Sequence, residues 1–215
     1  MPAAEFADRA FAALDAVSDD TALRLRSGGV KNLVEEILPL AVFAKYFDAI
    51  ERRIHCRYLG GSEDEADGEL RLSGRAVERG FYPDRILVEA TCAEDEKAYL
   101  RREALARHGG VFGGKLIWRT APRHEPGSDI VSEPEVRDGD SGISEMAALV
   151  RAAVAMKASK RYAPARLLLV RLDPDFPVNH RKLGDVALQA ALTEQPVGLL
   201  AVFLVECSTG CVLQA

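Results

Sequence analysis

The sequence predicts an α/β fold, a mixed central sheet flanked by helices. Three observations predict it. Helical and strand-like segments alternate along the chain, the pattern of a layered α/β domain. Two late segments, "RLLLVRL" and "GLLAVFLVEC", are continuous apolar runs, as expected of strands buried on both faces. Two earlier strands, in "ELRLSGR" and "RILVEAT", flank the turn "FYPD" and suit an antiparallel pair attached to a more parallel core.

The elements follow in order. Glu5 to Val17 reads as a short helix. Apolar residues at helical spacing predict a long helix from about Lys31 to Ile54, with Pro39 marking a kink or a start. "GGSEDEADG" is an acidic loop, and the strand pair comes next. "CAEDEKAYLRREALARHGG" has acids in its first turn and glycines past its end, so it is a helix. "KLIWRT" is a strand. Residues 121–142, rich in Pro, Gly and Asp, form a polar loop open to disorder. A helix is predicted from about Ser144 to Tyr162, then the first apolar run. "NHRKLGDVALQAALTEQ" is a helix, the second apolar run a strand, and "CVLQA" a short final segment. The chain is read as one α/β domain spanning 1–215, with 1–25 as an N-terminal helical extension.

Composition bounds the function. Of 215 residues, 48% are hydrophobic and 28% charged, an ordinary globular balance. No run of 18 apolar residues exists, so no membrane partner is expected. The amphipathic, acidic N-terminus lacks the order of a signal peptide. Cys56, Cys92, Cys207 and Cys211 form no CxxC pair, which favours free thiols and a cytoplasmic location. A net charge of -5 disfavours tight non-specific DNA binding. The four histidines are scattered without zinc spacing, and no P-loop, GxSxG or GxGxxG occurs.

The chemistry starts at Glu89. In "RILVEAT", Leu87, Glu89 and Thr91 share one face. A carboxylate on a buried strand needs a cation, several donors or a metal ion. The alternative is that Glu89 lies near a strand end and reaches water or an arginine. On the preceding strand, Asp67, Glu69 and Arg71 share a face, so pairing of the two strands would bring Asp67 to Glu89. Two such acids suit a hard divalent cation such as Mg2+ or Mn2+. Glu36 lies at the edge of the long helix's apolar stripe and should lean toward the sheet, while Glu35 should point to water. On the helix after the polar loop, Lys157 falls inside the apolar stripe and Lys160 at its border. A lysine there either snorkels out or pairs with buried carboxylates.

This arrangement resembles the PD-(D/E)xK, or restriction-endonuclease-like, nuclease superfamily over most of 31–173. The resemblance implies a core of helix, three strands, helix and strand. It implies that Asp67 and Glu89 are the two motif acids and Glu36 the helix glutamate. Thr91 stands where the family has lysine, so Lys157 or Lys160 would replace it, with Lys97 as a weaker substitute. The implied function is a Mg2+- or Mn2+-dependent nuclease acting on nucleic acid phosphodiesters in DNA processing or defence, with Asp67, Glu89, Lys157 and Lys160 catalytic and Glu36, Asp67 and Glu89 holding the metal. The alternative is a catalytically inactive binding or assembly module of the same fold. A homodimer is left open. Glu89→Ala is expected to abolish activity and leave the fold largely intact.

Overall fold

In the computed structural model, residues 1–49, 51–60, 66–112, 116–135, 139–160, 166–172, 184, 185, 189 and 199–214 are described. The strands are β1 (Arg53–Tyr58), β2 (Gly68–Ser73), β3 (Arg85–Cys92), β4 (Ile117–Arg119), β5 (Ile130–Ser132), β6 (Arg166–Leu172), β7 (Leu199–Glu206) and β8 (Cys211–Gln214). Six of them form one mixed sheet in the order β1-β2-β3-β6-β7-β8. The first three make an antiparallel meander, β3, β6 and β7 run parallel, and β8 returns antiparallel. The expected α/β class with a mixed sheet is therefore what the chain adopts.

Helices cover both faces. On one, Ala3–Asp15 (α1) and Leu38–Phe47 (α4) pack over Ile54, Leu70, Val88, Leu169 and Phe203. On the other, Gly139–Ala158 (α7) lays Met146, Val150 and Val154 over Leu168, Val170 and Leu204. Alternation along each strand sends neighbouring residues to opposite layers. In β6 this makes all seven residues buried, as the apolar run predicts.

Short helices complete the first half: α2 (Asp20–Leu25), α3 (Gly29–Asn32) and α5 (Arg75–Glu78). Asp19 caps α2, its Oδ1 accepting from the N–H groups of Thr21 and Ala22 at 2.8 and 3.0 Å. The later helix α6 (Ala98–His108) ends on Gly109 in the left-handed region, φ 71°.

Several elements differ from expectation. The predicted long helix is broken into α3, a π-helical segment Leu33–Ile37 and α4. Pro39 is the physical cause. It lacks an N–H, and its ring crowds the carbonyl one turn back, so the backbone widens ahead of it. The helix also stops at Phe47 rather than Ile54. "RIHCRY" alternates, with Ile54 and Cys56 buried and Arg53, His55 and Arg57 exposed, which is strand periodicity. Asp48 fixes the switch, its Oδ1 accepting from the Ile54 N–H at 2.9 Å.

Helix α6 begins at Ala98 because β3 continues to Cys92, paired with Arg171. Strand β4 does not join the central sheet; it pairs with β5, which lies inside the segment expected to be a polar loop. Ile117 and Ile130 bury their side chains against Leu100 and Ala104 of α6, and this gives the segment its order. The helix predicted at 179–195 falls outside the described residues, apart from Gly184, Asp185 and Gln189, which are helical.

Close approach between α4 and the sheet requires glycine at one point. A Cβ on Gly68 would lie 2.6 Å from Leu40 Cδ2. The missing side chain lets β2 start directly under α4, next to Asp67.

Phe43, fully buried, stacks on Phe47 with ring centroids 5.0 Å apart and meets Phe203 at 4.6 Å. Phe43→Ala should lower unfolding free energy by about 3–5 kcal/mol in urea titration, since the cavity opens between helix and sheet.

Candidate active site

Strand β3 brings Glu89 into the layer under α7. Its side chain is 3% exposed. Lys157, in the last turn of α7, donates from Nζ to Glu89 Oε2 at 2.9 Å. Arg166, the first residue of β6, donates from Nη1 to Oε1 at 2.7 Å. Each carboxylate oxygen thus has its own cation. Parallel pairing explains why: Glu89 lies opposite Leu168, so Arg166, two residues earlier, shares its face.

Asp67 completes the same side. The β2–β3 register pairs Gly68 with Val88, and its continuation sets Asp67 opposite Glu89. The Asp67 N–H donates to the Val88 carbonyl at 3.0 Å. The Ala90 N–H donates back to Asp67 Oδ2 at 2.7 Å. The same oxygen is 4.0 Å from Lys157 Nζ, so one ammonium spans both carboxylates. Burial raises the pKa of Asp67, and the nearby carboxylates of Glu36 and Glu89 push it the same way. The Ala90 N–H and Lys157 oppose the shift without cancelling it.

Glu36 comes from the α4 layer, on the π segment. Tyr58, the last residue of β1, donates its hydroxyl to Glu36 Oε2 at 2.6 Å. Burial and that hydrogen bond, together with the Glu36 charge, push the Tyr58 hydroxyl up to about 12. The π segment is tied to the sheet by Arg171 of β6, whose Nη1 donates to the Val34 carbonyl at 2.7 Å.

Of the residues named from the sequence, the structure brings Asp67, Glu89 and Lys157 together, with Glu36 close enough to act on Asp67. Lys160 is exposed just beyond α7, and Lys157 is the amine that reaches the acids. Thr91 stays on β3, opposite Val170. Glu35 does not point into water. Its Oε1 lies 3.5 Å from Arg26 Nη1, and its side chain is 22% exposed. Arg26 also binds Glu94, which takes Arg102 through its other oxygen at 2.8 Å. Helix α2 is thereby pinned against α6, and Glu35, on the π segment, faces this network.

Sequence reasoning missed Arg166 and Tyr58. The signal for Arg166 was an arginine at the mouth of an otherwise apolar run, where a buried guanidinium requires an anion. Tyr58 carried no such signal: the predicted helix covers only Arg53 and Ile54 of its strand, and Tyr58 falls in no predicted element.

The donor chemistry of Glu36, Asp67 and Glu89 suits a hard cation, since it offers carboxylate oxygens and no thiol or imidazole. Among the described residues, however, no group of three or more His, Cys, Asp or Glu is arranged to hold a metal ion. Lys157 and Arg166 occupy the space beside Glu89 instead. Also among the described residues, no helix is long and apolar enough to cross a membrane.

Comparison with family models, with curated proteins and with solved structures gives no match in any of the three.

The expectation that Glu89→Ala spares the fold does not survive this geometry. Removing the carboxylate takes one partner from the buried Arg166 and from the largely buried Lys157, so we expect a loss of about 3–5 kcal/mol in denaturant unfolding. Glu89→Gln, whose one carbonyl oxygen still accepts from one of the two cations, should lose less.

Asp67 supplies a pH test. Its folded pKa is raised, so its contribution to stability is fully present below the unfolded value, about 3.9, and is lost as pH rises through the folded value. Asp67→Asn should therefore gain stability relative to wild type from pH 4 toward neutrality, in melts followed by circular dichroism.

Proposed function

We propose that the protein is a metal-dependent nuclease of restriction-endonuclease-like architecture, acting on nucleic acid phosphodiesters. The observation that carries this reading is the single ammonium of Lys157 bridging Asp67 and Glu89 from neighbouring strands. The order of helix, antiparallel three-strand meander, helix and parallel strand supports the same core. The amine that the motif lacks at Thr91 has an equivalent in Lys157, delivered from α7 rather than from β3.

Asp67 and Glu89, with Glu36 behind Asp67, are the carboxylates that would hold Mg2+ or Mn2+ once Lys157 and Arg166 give up the Glu89 oxygens they occupy. Such an ion supplies positive charge that polarises the scissile phosphodiester and makes water a better nucleophile. The chain's own groups do the rest. Lys157 places a positive charge beside the position where a phosphoryl oxygen gains negative charge. Asp67, held through Oδ2 by the Ala90 N–H, has a proton affinity raised by burial and is placed to accept a proton from the attacking water. Tyr58 orients Glu36 through its hydroxyl.

Arg166 favours a second reading. With Lys157 on one oxygen and Arg166 on the other, Glu89 is neutralised without any ion. A chain that keeps this lock closed is an inactive binding or assembly module with a nuclease-like fold.

Incubation of the purified protein with DNA and RNA in Mg2+ or Mn2+ decides between them. We expect cleavage that a chelator stops, and a loss of at least about 100-fold in Lys157→Met, Asp67→Asn and Glu89→Gln. Wild-type activity equal to that of all three variants would identify a contaminant. Absence of both cleavage and calorimetric metal binding would leave the module reading.

A further inference from the structure

The face of the sheet that carries Asp67 and Glu89 continues beyond α7. There it turns basic. Along this face β1 contributes Arg53, His55 and Arg57, all exposed. Strand β2 contributes Glu69 and Arg71, and β3 contributes Arg85. The register sets His55 beside Arg71, and Arg71 beside Arg85. Like charges directly opposite across strands are destabilising. One carboxylate holds the pair: Glu69 Oε1 accepts from Arg85 Nε at 2.7 Å and from Arg71 Nε at 3.2 Å. Yet the side chains of Arg71 and Arg85 remain 71% and 50% exposed. Arg53 has Asp48 only at 3.9 Å. Among the described residues of this face, four arginines stand against one buried carboxylate, on a chain whose net charge is -5.

We infer that this open face of β1, β2 and β3 is a docking track for the phosphate backbone of a nucleic acid strand leading into the Asp67–Glu89–Lys157 cluster. The inference rests on the nuclease reading for the end point of the track, and on charge complementarity for the track itself. Position supports it. Arg85 and Glu89 are four residues apart on one face, about 13 Å, and β1 to β3 spans about 10 Å, so a backbone seated at the acids passes the arginines within a few phosphates. Residue type supports it as well. Arginine's planar fork matches phosphate oxygens bidentately. The exposed positions hold no large apolar side chain of the kind that inserts into a lipid surface.

The test uses the full chain in a chelator, so that binding is read without cleavage. A fluorescein-labelled 20-mer DNA, single-stranded and duplex, is titrated by anisotropy over a series of salt concentrations. Wild type should bind with an affinity that falls steeply with salt. Arg53→Gln/Arg57→Gln should weaken binding about tenfold and flatten the log–log salt slope by roughly one unit per arginine. These two side chains are exposed, and the register sets Arg57 opposite Glu69, whose ion pairs go to Arg71 and Arg85; a thermal melt checks the fold. Arg57→Lys should restore most of the salt dependence. The same variants should hydrolyse bis(p-nitrophenyl) phosphate at the wild-type rate, because a small diester needs only the acids and Lys157.

Unchanged oligonucleotide affinity and slope in the double variant overturns the track, even if the small diester is cleaved. No wild-type binding at low salt, or preference for phosphatidylserine vesicles over the oligonucleotide, overturns it too. Arginine-dependent binding without cleavage of any substrate sustains the track and removes the nuclease reading.

Discussion

The constraint on which the structure depends is the burial of one negative charge. Glu89 lies in the middle of β3, at 2% exposure, where an unpaired carboxylate is not tolerable. It is tolerated because two cations arrive from different parts of the chain. Lys157 comes from the end of α7 and Arg166 from the start of β6. The three elements are thereby locked in one register, since a slip of β6 by one residue would move Arg166 to the opposite face. Lys157 extends the lock to Asp67, ahead of β2. The geometry of the candidate site and the closure of the α7 layer are the same set of contacts.

Elsewhere the fold repeats this solution with arginine as the partner of buried acids. Glu103 of α6, 5% exposed, receives Arg119 of β4 at 2.6 Å and so attaches the β4–β5 hairpin. Burial opposes ionisation of Glu103, but Arg119 and Arg107 more than offset it and hold the carboxyl below its ordinary range. Glu94 behaves alike between Arg26 and Arg102. These pairs are specific rather than strongly stabilising, because desolvation removes much of the Coulomb gain. Their effect is to dictate which segment docks where.

Asp67 is the exception. Among the described residues its nearest cation, Lys157, is 4.0 Å away, and two other carboxylates act on it. Its pKa therefore moves up while those of Glu69, Glu94 and Glu103 move down. The π segment departs from regular helix geometry where it presents Glu36.

The sequence alone determined the elements whose patterns are local. The apolar runs of β6 and β7 and the alternation in β2 and β3 were legible, because burial on one or two faces leaves a period of two or an unbroken run. Glu89 and Lys157 were legible for the same reason, as charges set against an apolar pattern. What only the tertiary structure decided were partnerships between residues far apart in the chain. Arg166 is 77 residues from Glu89, and no spacing rule connects them. The separation of β4 from the main sheet depends on the face of α6 that Ile117 and Ile130 cover. The choice of Lys157 over Lys160 depends on where α7 ends relative to β3. Local patterning encodes which side chains must leave water; their charge partners are set by three-dimensional register, which depends on every intervening element at once.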